Sequence, residues 1–380
     1  MAVFLYHFFM EFSRPDNARE INRFRVLNAL RSEPGLTRAA LSARLSLNKV
    51  SMSEIIQAFI DEGVVSEGEK EKNVTGRPGT TLFLCPDAVT VLGADISTYT
   101  FSISLFNGEG RQLRSERYPM AEITSPEMLK EKFTSVIAKM IKISGVRPRG
   151  MAVSINAPIN ENTIGEAFHP FLTGTDVTKL FSDYPFPVIV VNSTEASAEA
   201  ERSCFEGDAD RMMVVSWGEH ISSALIMNDR IVANPLFAHL PVTEQNLCHC
   251  GAIGCLETVA SGWGIRSLCG KDRSVRQLLK DGEDIDELLS AAAKALGKAL
   301  AYALFMTSAR GFIITGGLAG LEDKYLTMVI DTFTKYLPAR LRETPVYVSS
   351  LKEKSSLSGC GIIALDRFFY HERLLSTLSL

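Results

Sequence analysis

The sequence predicts an α/β body preceded by a small, mostly helical N-terminal module. In the first sixty-odd positions, apolar residues recur at helical spacing in three short segments. From Thr90 onward, apolar runs typical of buried strands come first in succession and then alternate with helical stretches, in two halves. Such alternation is typical of an α/β fold. A length of 380 residues and an apolar content of 46% suffice for two or three domains with buried cores.

Three helices are predicted in the N-terminal module. The capping box Asn17–Glu20 opens the first helix, and Pro34–Gly35 ends it. Thr37 caps a short second helix, the turn Ser46–Asn48 leads into a third, and Gly63 stops that one. Three short helices with a tight turn before the third describe a helix-turn-helix, the alternative being a small protein-binding bundle.

The composition of this module favours binding to DNA. Between Arg14 and Ser53, eight basic and three acidic side chains leave an excess of five positive charges, although the whole chain has a net charge of −4. Polar side chains at the start of the third helix would reach base edges, and basic ones would grip phosphate or guanine. The predicted DNA-binding residues on the helices are Arg38, Asn48, Lys49, Ser51 and Ser53.

A wing is predicted after the third helix. Val64–Ser66 and Thr80–Leu84 have the character of two short strands around a charged, turn-rich loop. Arg77 lies near the tip of that loop and is suited to a narrow, electronegative minor groove. Residues 1–86 are therefore predicted to form a winged helix-turn-helix domain that binds double-stranded DNA.

Four side chains that commonly bind metals lie between residues 239 and 257. One imidazole and three thiols suit a tetrahedral, closed Zn²⁺ site, and Gly251 and Gly254 let the backbone turn tightly around the metal. A closed site leaves no open position, so the zinc is predicted to be structural. The alternative is three buried, inert cysteines. The predicted ligands are His239, Cys248, Cys250 and Cys255.

The metal-ligand pattern also carries a resemblance to a known family. The run Cys–x–Cys–Gly–x–x–Gly–Cys–x–Glu that ends at Glu257, preceded by His239, resembles the signature of the ROK (repressor, ORF, kinase) family of sugar kinases and sugar-responsive repressors. The tripeptide Gly76–Arg77–Pro78 likewise resembles the Gly–Arg–Pro of ROK repressors. The question is then which branch the chain belongs to, catalyst or DNA-binding regulator.

The resemblance implies a fold and an effector site. The fold would be of the actin/hexokinase-like (RNase H-like) type, with two lobes around a cleft, expected at 87–200 and 201–380, the second holding the zinc loop 239–257. In the family, residues matching Asn192, His239 and Glu257 contact a bound sugar. A second sugar-binding Glu of the family corresponds to Leu236 here. We therefore expect an altered ligand, or none.

The positions that match the family's kinase chemistry are substituted. The first phosphate loop, Asp–x–Gly–x–Thr, has serine and tyrosine in place of glycine and threonine within Asp95–Tyr99. The second, glycine-rich loop has lost three of its four glycines within Gly218–Ala224, where Glu219 brings a negative charge. Ser193 stands in place of the catalytic Asp, and its hydroxyl cannot accept a proton near neutral pH. We expect no enzymatic activity.

The leading interpretation is a ROK-type transcriptional repressor of carbohydrate-related genes that binds its DNA operator as a homodimer or homotetramer. Its small-molecule effector would be a sugar or a sugar phosphate. One alternative is an active ATP-dependent sugar kinase that carries a DNA-binding head. Another is a regulator that responds to a protein partner or to a non-sugar ligand.

The sequence also predicts that the protein is located in the cytoplasm. Outside the metal motif the cysteines are scattered, as in a reducing compartment, and no stretch of about 18 uncharged apolar residues would span a membrane. The apolar stretch 1–9 lacks the basic start and cleavage site of a signal peptide. We expect Met10 to be the natural start, the alternative being an extra apolar arm.

Overall fold

The computed structural model describes residues 18–70, 78–373 and 375. The predicted start at Met10, the capping residue Asn17 and the wing residue Arg77 lie outside the described residues. The chain divides into two compact units. The first holds the described residues up to Val191 and those from Cys360 onward, and the second is Asn192–Gly359.

These units differ from the predicted lobes 87–200 and 201–380 at both ends. Residues 192–200 belong to the second unit because the helix that contains them packs Ala198 into that unit's core. The chain's end returns to the first unit, since Cys360 and Gly361 lie against strand residue Gly93.

The head, defined as the described residues between Ala18 and Leu84, has three helices and a two-stranded wing. Each helix buries apolar side chains, and the third buries Met52, Ile55, Ile56 and Phe59, as the spacing predicts. The two wing strands pair antiparallel. The elements of the head are α1 (Ala18–Ser32), α2 (Arg38–Leu45), α3 (Lys49–Asp61), β1 (Val65–Lys70) and β2 (Thr80–Leu84).

Local chemistry sets the ends of these helices. Thr37 caps α2 by accepting a hydrogen bond from the backbone N–H of Ala40, and Asn48 caps α3 in the same way. Ser46 ends α2 with a left-handed backbone (φ 55°). Gly63 follows α3 with φ 73°, a conformation in which glycine has no steric penalty.

The remainder of the first unit is built on a five-stranded mixed sheet. Its strand order is β5-β4-β3-β6-β9, in which β3 runs antiparallel to β4 and parallel to β6. Helix α4 packs Leu129, Phe133 and Met140 into its core. The elements are β3 (Thr90–Ile96), β4 (Thr100–Asn107), β5 (Gln112–Pro119), α4 (Pro126–Ser144), β6 (Met151–Ile155), β7 (Ile159–Asn160), β8 (Thr163–Ile164), α5 (Val177–Leu180) and β9 (Val188–Asn192).

The second unit repeats this topology. Its sheet has the order β12-β11-β10-β13-β14, with β10 antiparallel to β11 and parallel to β13, so each unit joins an antiparallel meander to parallel strands. The predicted repetition in two halves is thus confirmed. The elements are α6 (Ser193–Cys204), β10 (Met212–Trp217), β11 (Ile221–Met227), β12 (Arg230–Asn234), α7 (Leu256–Ala260), α8 (Gly262–Cys269), α9 (Val275–Lys280), α10 (Asp286–Thr307), β13 (Gly311–Thr315), α11 (Asp323–Lys335) and β14 (Val346–Val348).

Helix α10 is the central helix of the second unit. Among the described residues it is also the one helix long and apolar enough to cross a membrane by length and composition. More than half (56%) of its most apolar window is nevertheless buried inside the fold. Leu289, Leu296 and Leu300 belong to the unit's main hydrophobic cluster, which makes α10 a core helix.

The last described helix, α12 (Ser355–Leu365), leads into a π-helical turn, Asp366–Tyr370, that contacts the head within the first unit. The Asn28 side chain donates a hydrogen bond to the Tyr370 carbonyl (2.8 Å), and the Arg31 guanidinium lies 4.4 Å from the centre of the Tyr370 ring. The Tyr370 hydroxyl in turn donates to the Gly108 carbonyl (2.7 Å). Tyr370 therefore contacts both helix α1 and the turn after β4.

Candidate functional site

The first turn of α3 presents most of the side chains predicted to contact DNA. Asn48, Lys49 and Ser53 are exposed, and Ser51 is half-buried. Arg38 lies on α2, at the start of the helix that precedes the turn. The N-terminal residues of the second helix of a helix-turn-helix motif are those that contact base edges. The structure thus brings four of the six predicted residues together.

Several of these polar side chains are engaged by the helix itself. Asn48 Oδ1 accepts the Ser51 N–H at 2.8 Å, and Asn48 Nδ2 donates to Ser51 Oγ at 3.1 Å. Ser53 Oγ donates to the Lys49 carbonyl at 2.8 Å. Asn48 is therefore first of all the N-cap of α3, which holds the recognition helix in place.

Acidic residues partly offset the positive charge of the head. Three of its arginines form ion pairs with acidic residues of the head itself, with nitrogen–oxygen distances of 2.5–2.7 Å. Two of the acidic partners lie beyond Ser53 in the sequence, so the excess of five charges counted up to that residue overstates the field of the folded head. The pairs are Arg23–Glu62, Arg38–Glu67 and Arg44–Glu33.

The four predicted metal ligands converge. One donor atom from each of His239, Cys248, Cys250 and Cys255 lies within 4.8 Å of all the others. The thiols of Cys250 and Cys255 are 3.7 Å apart, and His239 Nδ1 is 3.6 Å from Cys248 Sγ. A tetrahedral zinc ion with ordinary bond lengths requires about 3.8 Å and about 3.6 Å for these separations. The donor set therefore fits zinc in both chemistry and spacing.

The backbone of this loop is folded around the cluster. Isolated bridges join Pro241 to Cys255 and Leu247 to Ile253, so the loop closes on itself as a small hairpin. Gly254 has φ 80°, and a Cβ atom there would lie 1.8 Å from the Thr243 carbonyl oxygen. Only glycine fits at this position.

Burial affects the chemistry of these thiols. It raises the pKa of the Cys255 thiol to about 12 and also raises the pKa of Cys248. A bound cation offsets that effect of burial and stabilises the thiolate form that metals require. These residues could hold a metal ion, and the Cys250–Cys255 and His239–Cys248 separations match tetrahedral coordination.

The residues predicted to bind an effector lie on separate elements of the second unit. Asn192 caps α6 by accepting the Thr194 N–H at 2.8 Å, and His239 ends a short 3₁₀ turn beside the metal ligands. Glu257 lies in the first turn of α7 and is almost fully buried (2% exposed). Both of its oxygens have partners, His220 Nδ1 at 2.8 Å and the Ile221 N–H at 2.9 Å. His220 was not among the predicted site residues.

The segment Gly218–Ala224, which the family pattern aligns with the second phosphate loop, contains a residue of an ion pair, Glu219 with Arg266. Arg266 on α8 donates two hydrogen bonds to Glu219 Oε1, at 2.5 and 3.1 Å, and both side chains are largely buried. The Gly218 and Glu219 carbonyls accept the N–H groups of Gly262 and Trp263, the first residues of α8. The carboxylate and the two carbonyls are hydrogen-bond acceptors that are already engaged within the fold, and they offer no donor to a polyphosphate.

The segment that matches the first phosphate loop is a hydrogen-bonded turn. Ser97 is joined to the Thr100 carbonyl through both its backbone N–H (3.0 Å) and its hydroxyl (2.8 Å). Asp95 accepts a hydrogen bond from Ser154 at 2.6 Å, and His169 contacts the Ser97 carbonyl at 3.0 Å. Ser193, which the sequence comparison with the family pattern placed at the position of a catalytic Asp, is the first residue of α6.

Sequence reasoning missed three residues that the structure makes prominent: Val50, His220 and Arg266. Helical geometry would have placed Val50 on the exposed face of α3. Glu219, in a loop that should be glycine-rich, was a signal that a basic partner lay elsewhere in the chain. His220 gave no comparable signal, because its contact with Glu257 depends on how two distant segments pack.

A duplicated α/β body with a candidate metal loop, joined to a winged helix-turn-helix head, defines an actin/hexokinase-like protein built to bind DNA. The profile described as "ROK family" matches residues 91–367, and the profile described as "Winged helix-turn-helix DNA-binding" matches residues 19–66. The chain belongs to the ROK family.

Two relatives differ in how much of this chain they cover. The xylose repressor of Caldicellulosiruptor bescii is 24% identical over 383 residues, which cover 90% of this chain and 94% of that protein. The N-acetylmannosamine kinase of Escherichia coli O139:H28 is also 24% identical, over 300 residues, but covers 73% of this chain and 98% of the kinase.

A solved structure with a similar fold covers nearly the whole chain. It is the crystal structure of a ROK family transcriptional regulator described as a homolog of the E. coli MLC protein. The TM-score is 0.71 and the sequence identity 18%, with 94% of this chain and 99% of that chain covered.

Proposed function

We propose that this protein is a transcriptional repressor of carbohydrate-related genes that binds duplex DNA through its head. The observation that carries the proposal is the exposed first turn of α3, presented by a winged helix-turn-helix on a ROK body. The match to a xylose repressor along 90% of the chain supports it. A DNA-binding role also implies the compartment that holds the DNA, which is the cytoplasm in a bacterial cell.

The repressor would bind its operator as a homodimer or a homotetramer. Two recognition helices that enter successive major grooves must lie about 34 Å apart, which requires at least two heads. A selection from random duplexes with the full-length protein should therefore enrich an inverted repeat. Replacing Asn48, Lys49 or Arg77 with alanine should weaken binding in a gel shift, and unchanged affinity in all three variants would contradict the assignment.

The body would act as a sensor and not as an enzyme. The Glu219–Arg266 ion pair closes the segment that matches a phosphate loop, and Ser193 offers no general base. Losing such a base typically costs about 10²–10⁴-fold in rate. A coupled ADP-release assay across hexoses and N-acetylhexosamines should show no turnover, with an authentic ROK kinase as the positive control. Turnover with any sugar would favour the kinase alternative.

The effector would bind at Asn192, His239 and Glu257, beside a structural zinc ion held by His239 and the three thiols. Since Glu257 is bonded to His220 and Leu236 replaces a second carboxylate, the ligand is expected to differ from that of the kinases. A thermal-shift panel of sugars and sugar phosphates tests this. If no sugar raised the melting temperature, the alternative of a protein partner or a non-sugar ligand would replace the sugar effector.

A further inference from the structure

We propose that Val50 contacts the C5-methyl group of a thymine in the major groove and thereby sets the sequence preference at one base pair of each half-site. The inference rests on the proposed DNA-binding function and names one specific contact within it. It assigns to an apolar side chain a share of the recognition that the sequence pattern gave to polar residues alone.

The position and exposure of Val50 carry the inference. It is the second residue of α3, and 69% of it is exposed to solvent, whereas Met52, Ile55 and Ile56 on the same helix are buried. Phe83, the other exposed large apolar side chain in the described part of the head, is 40% exposed and lies on the wing against Gly68. Val50 thus presents its methyl groups to solvent from the turn that meets base edges.

The engagement of the neighbouring polar groups strengthens the case. Asn48 and Ser53 each make a hydrogen bond to the backbone of α3, and Arg38 is paired with Glu67. Polar readout from this turn has to break or share those bonds, whereas an apolar contact from Val50 does not. The same turn therefore favours an apolar contact with the base.

The major groove offers one apolar group for such a contact. Among the four base pairs, thymine alone presents a methyl group there, at C5, and small apolar side chains are its usual partners. Burying both surfaces removes apolar area from water at no cost in hydrogen bonds. Removal of one such methyl contact should weaken binding about fourfold.

The test uses the full-length protein in its zinc-loaded form. Duplexes are first selected from a random pool. Each thymine of the selected operator is then replaced by deoxyuridine, which deletes the C5-methyl group and leaves every hydrogen bond intact. The wild type should lose about fourfold in affinity at one position per half-site. Val50→Ala should bind the unmodified operator more weakly and should no longer respond to deoxyuridine at that position.

A matched control is Val232→Ala, an exposed valine (48%) on β12, which should bind as the wild type does and keep its response to deoxyuridine. Alanine has the better helix propensity, so Val50→Ala should fold, which circular dichroism checks. Wild-type binding insensitive to deoxyuridine at every position, or sensitivity that persists in Val50→Ala, would overturn the inference alone. Failure to enrich any duplex would overturn the DNA-binding function and the inference with it.

Discussion

The first turn of α3 and the second unit differ in which side chains stay available to an external partner. On α3, Lys49 and Val50 are exposed at the turn that we propose contacts DNA. In the second unit, the acidic residues at the positions matching phosphate and sugar contacts pair with groups of the same unit. Glu219 pairs with Arg266, and Glu257 bonds to His220 and to a backbone N–H.

The exposed side chains of α3 are available to an external partner, whereas Glu219 and Glu257 contribute to the internal structure of the second unit. A group that recognises an external ligand has to keep its bonding capacity available, whereas a buried charge without a ligand needs an internal partner. Glu219 and Glu257 are of the second kind, because each is bound to a partner within the fold. The candidate metal loop, residues 239–257, differs from both. Its four donors lie close to one another and could still bind an external group, a metal ion.

The largest expected effect comes from that loop. Cys255→Ser should remove one ligand of the proposed zinc site, lower the bound zinc from about one ion per chain to none, and cost more than about 4 kcal/mol of stability. Metal analysis and thermal unfolding measure both effects. Cys204→Ser, an exposed thiol on α6, is the control and should change neither quantity. A fully stable Cys255→Ser would mean that the loop folds without metal.

The second prediction concerns the closed phosphate-loop segment. Glu219→Gln removes the negative charge from the ion pair with the Arg266 guanidinium, which is 12% exposed, and should cost about 2 kcal/mol. Asp281→Asn, in the exposed pair with Arg273, should cost less than about 1 kcal/mol. Urea unfolding of both variants measures the difference. Equal stabilities would show that the Glu219 pair contributes no more than a surface pair.

Much of the architecture could be predicted from the sequence because it depends on local patterns. The spacing of Met52, Ile55 and Phe59 indicated the buried face of α3. The four candidate metal ligands could also be found from the sequence, because three of them lie within eight residues.

What could not be predicted depends on contacts between distant parts of the chain. The strand orders, the pairing of Arg266 with Glu219 across 47 positions, and the return of Tyr370 to the head follow from packing. The expected boundary differs from the observed one by the nine residues 192–200 for the same reason, since nothing local shows which sheet α6 covers. The count of basic and acidic side chains likewise ended at Ser53. It therefore left out Glu62 and Glu67, which pair with arginines of the head.

A smaller effect is expected for Lys49→Ala. The side chain is exposed at the start of α3 and suits a phosphate contact, so its loss should weaken binding to all sequences alike and reduce the slope of log affinity against log salt by about one. Titrations at several salt concentrations measure the slope. Lys335→Ala, at the end of α11, is the control. An unchanged slope in Lys49→Ala would exclude a phosphate contact.

The smallest effect separates the two roles of Asn48. Both hydrogen-bonding groups of its side chain contact Ser51, so the residue should act on DNA binding through the cap of α3. Asn48→Ala should then cost about 1 kcal/mol of stability, whereas Asn48→Ser, which can still cap, should cost only a few tenths. Operator affinity, compared with urea unfolding of the same variants, should follow stability, with Asn48→Ser within about twofold of the wild type. If Asn48→Ser were as stable as the wild type but bound tenfold more weakly, the amide would be contacting a base directly, and α3 would read DNA with polar groups after all.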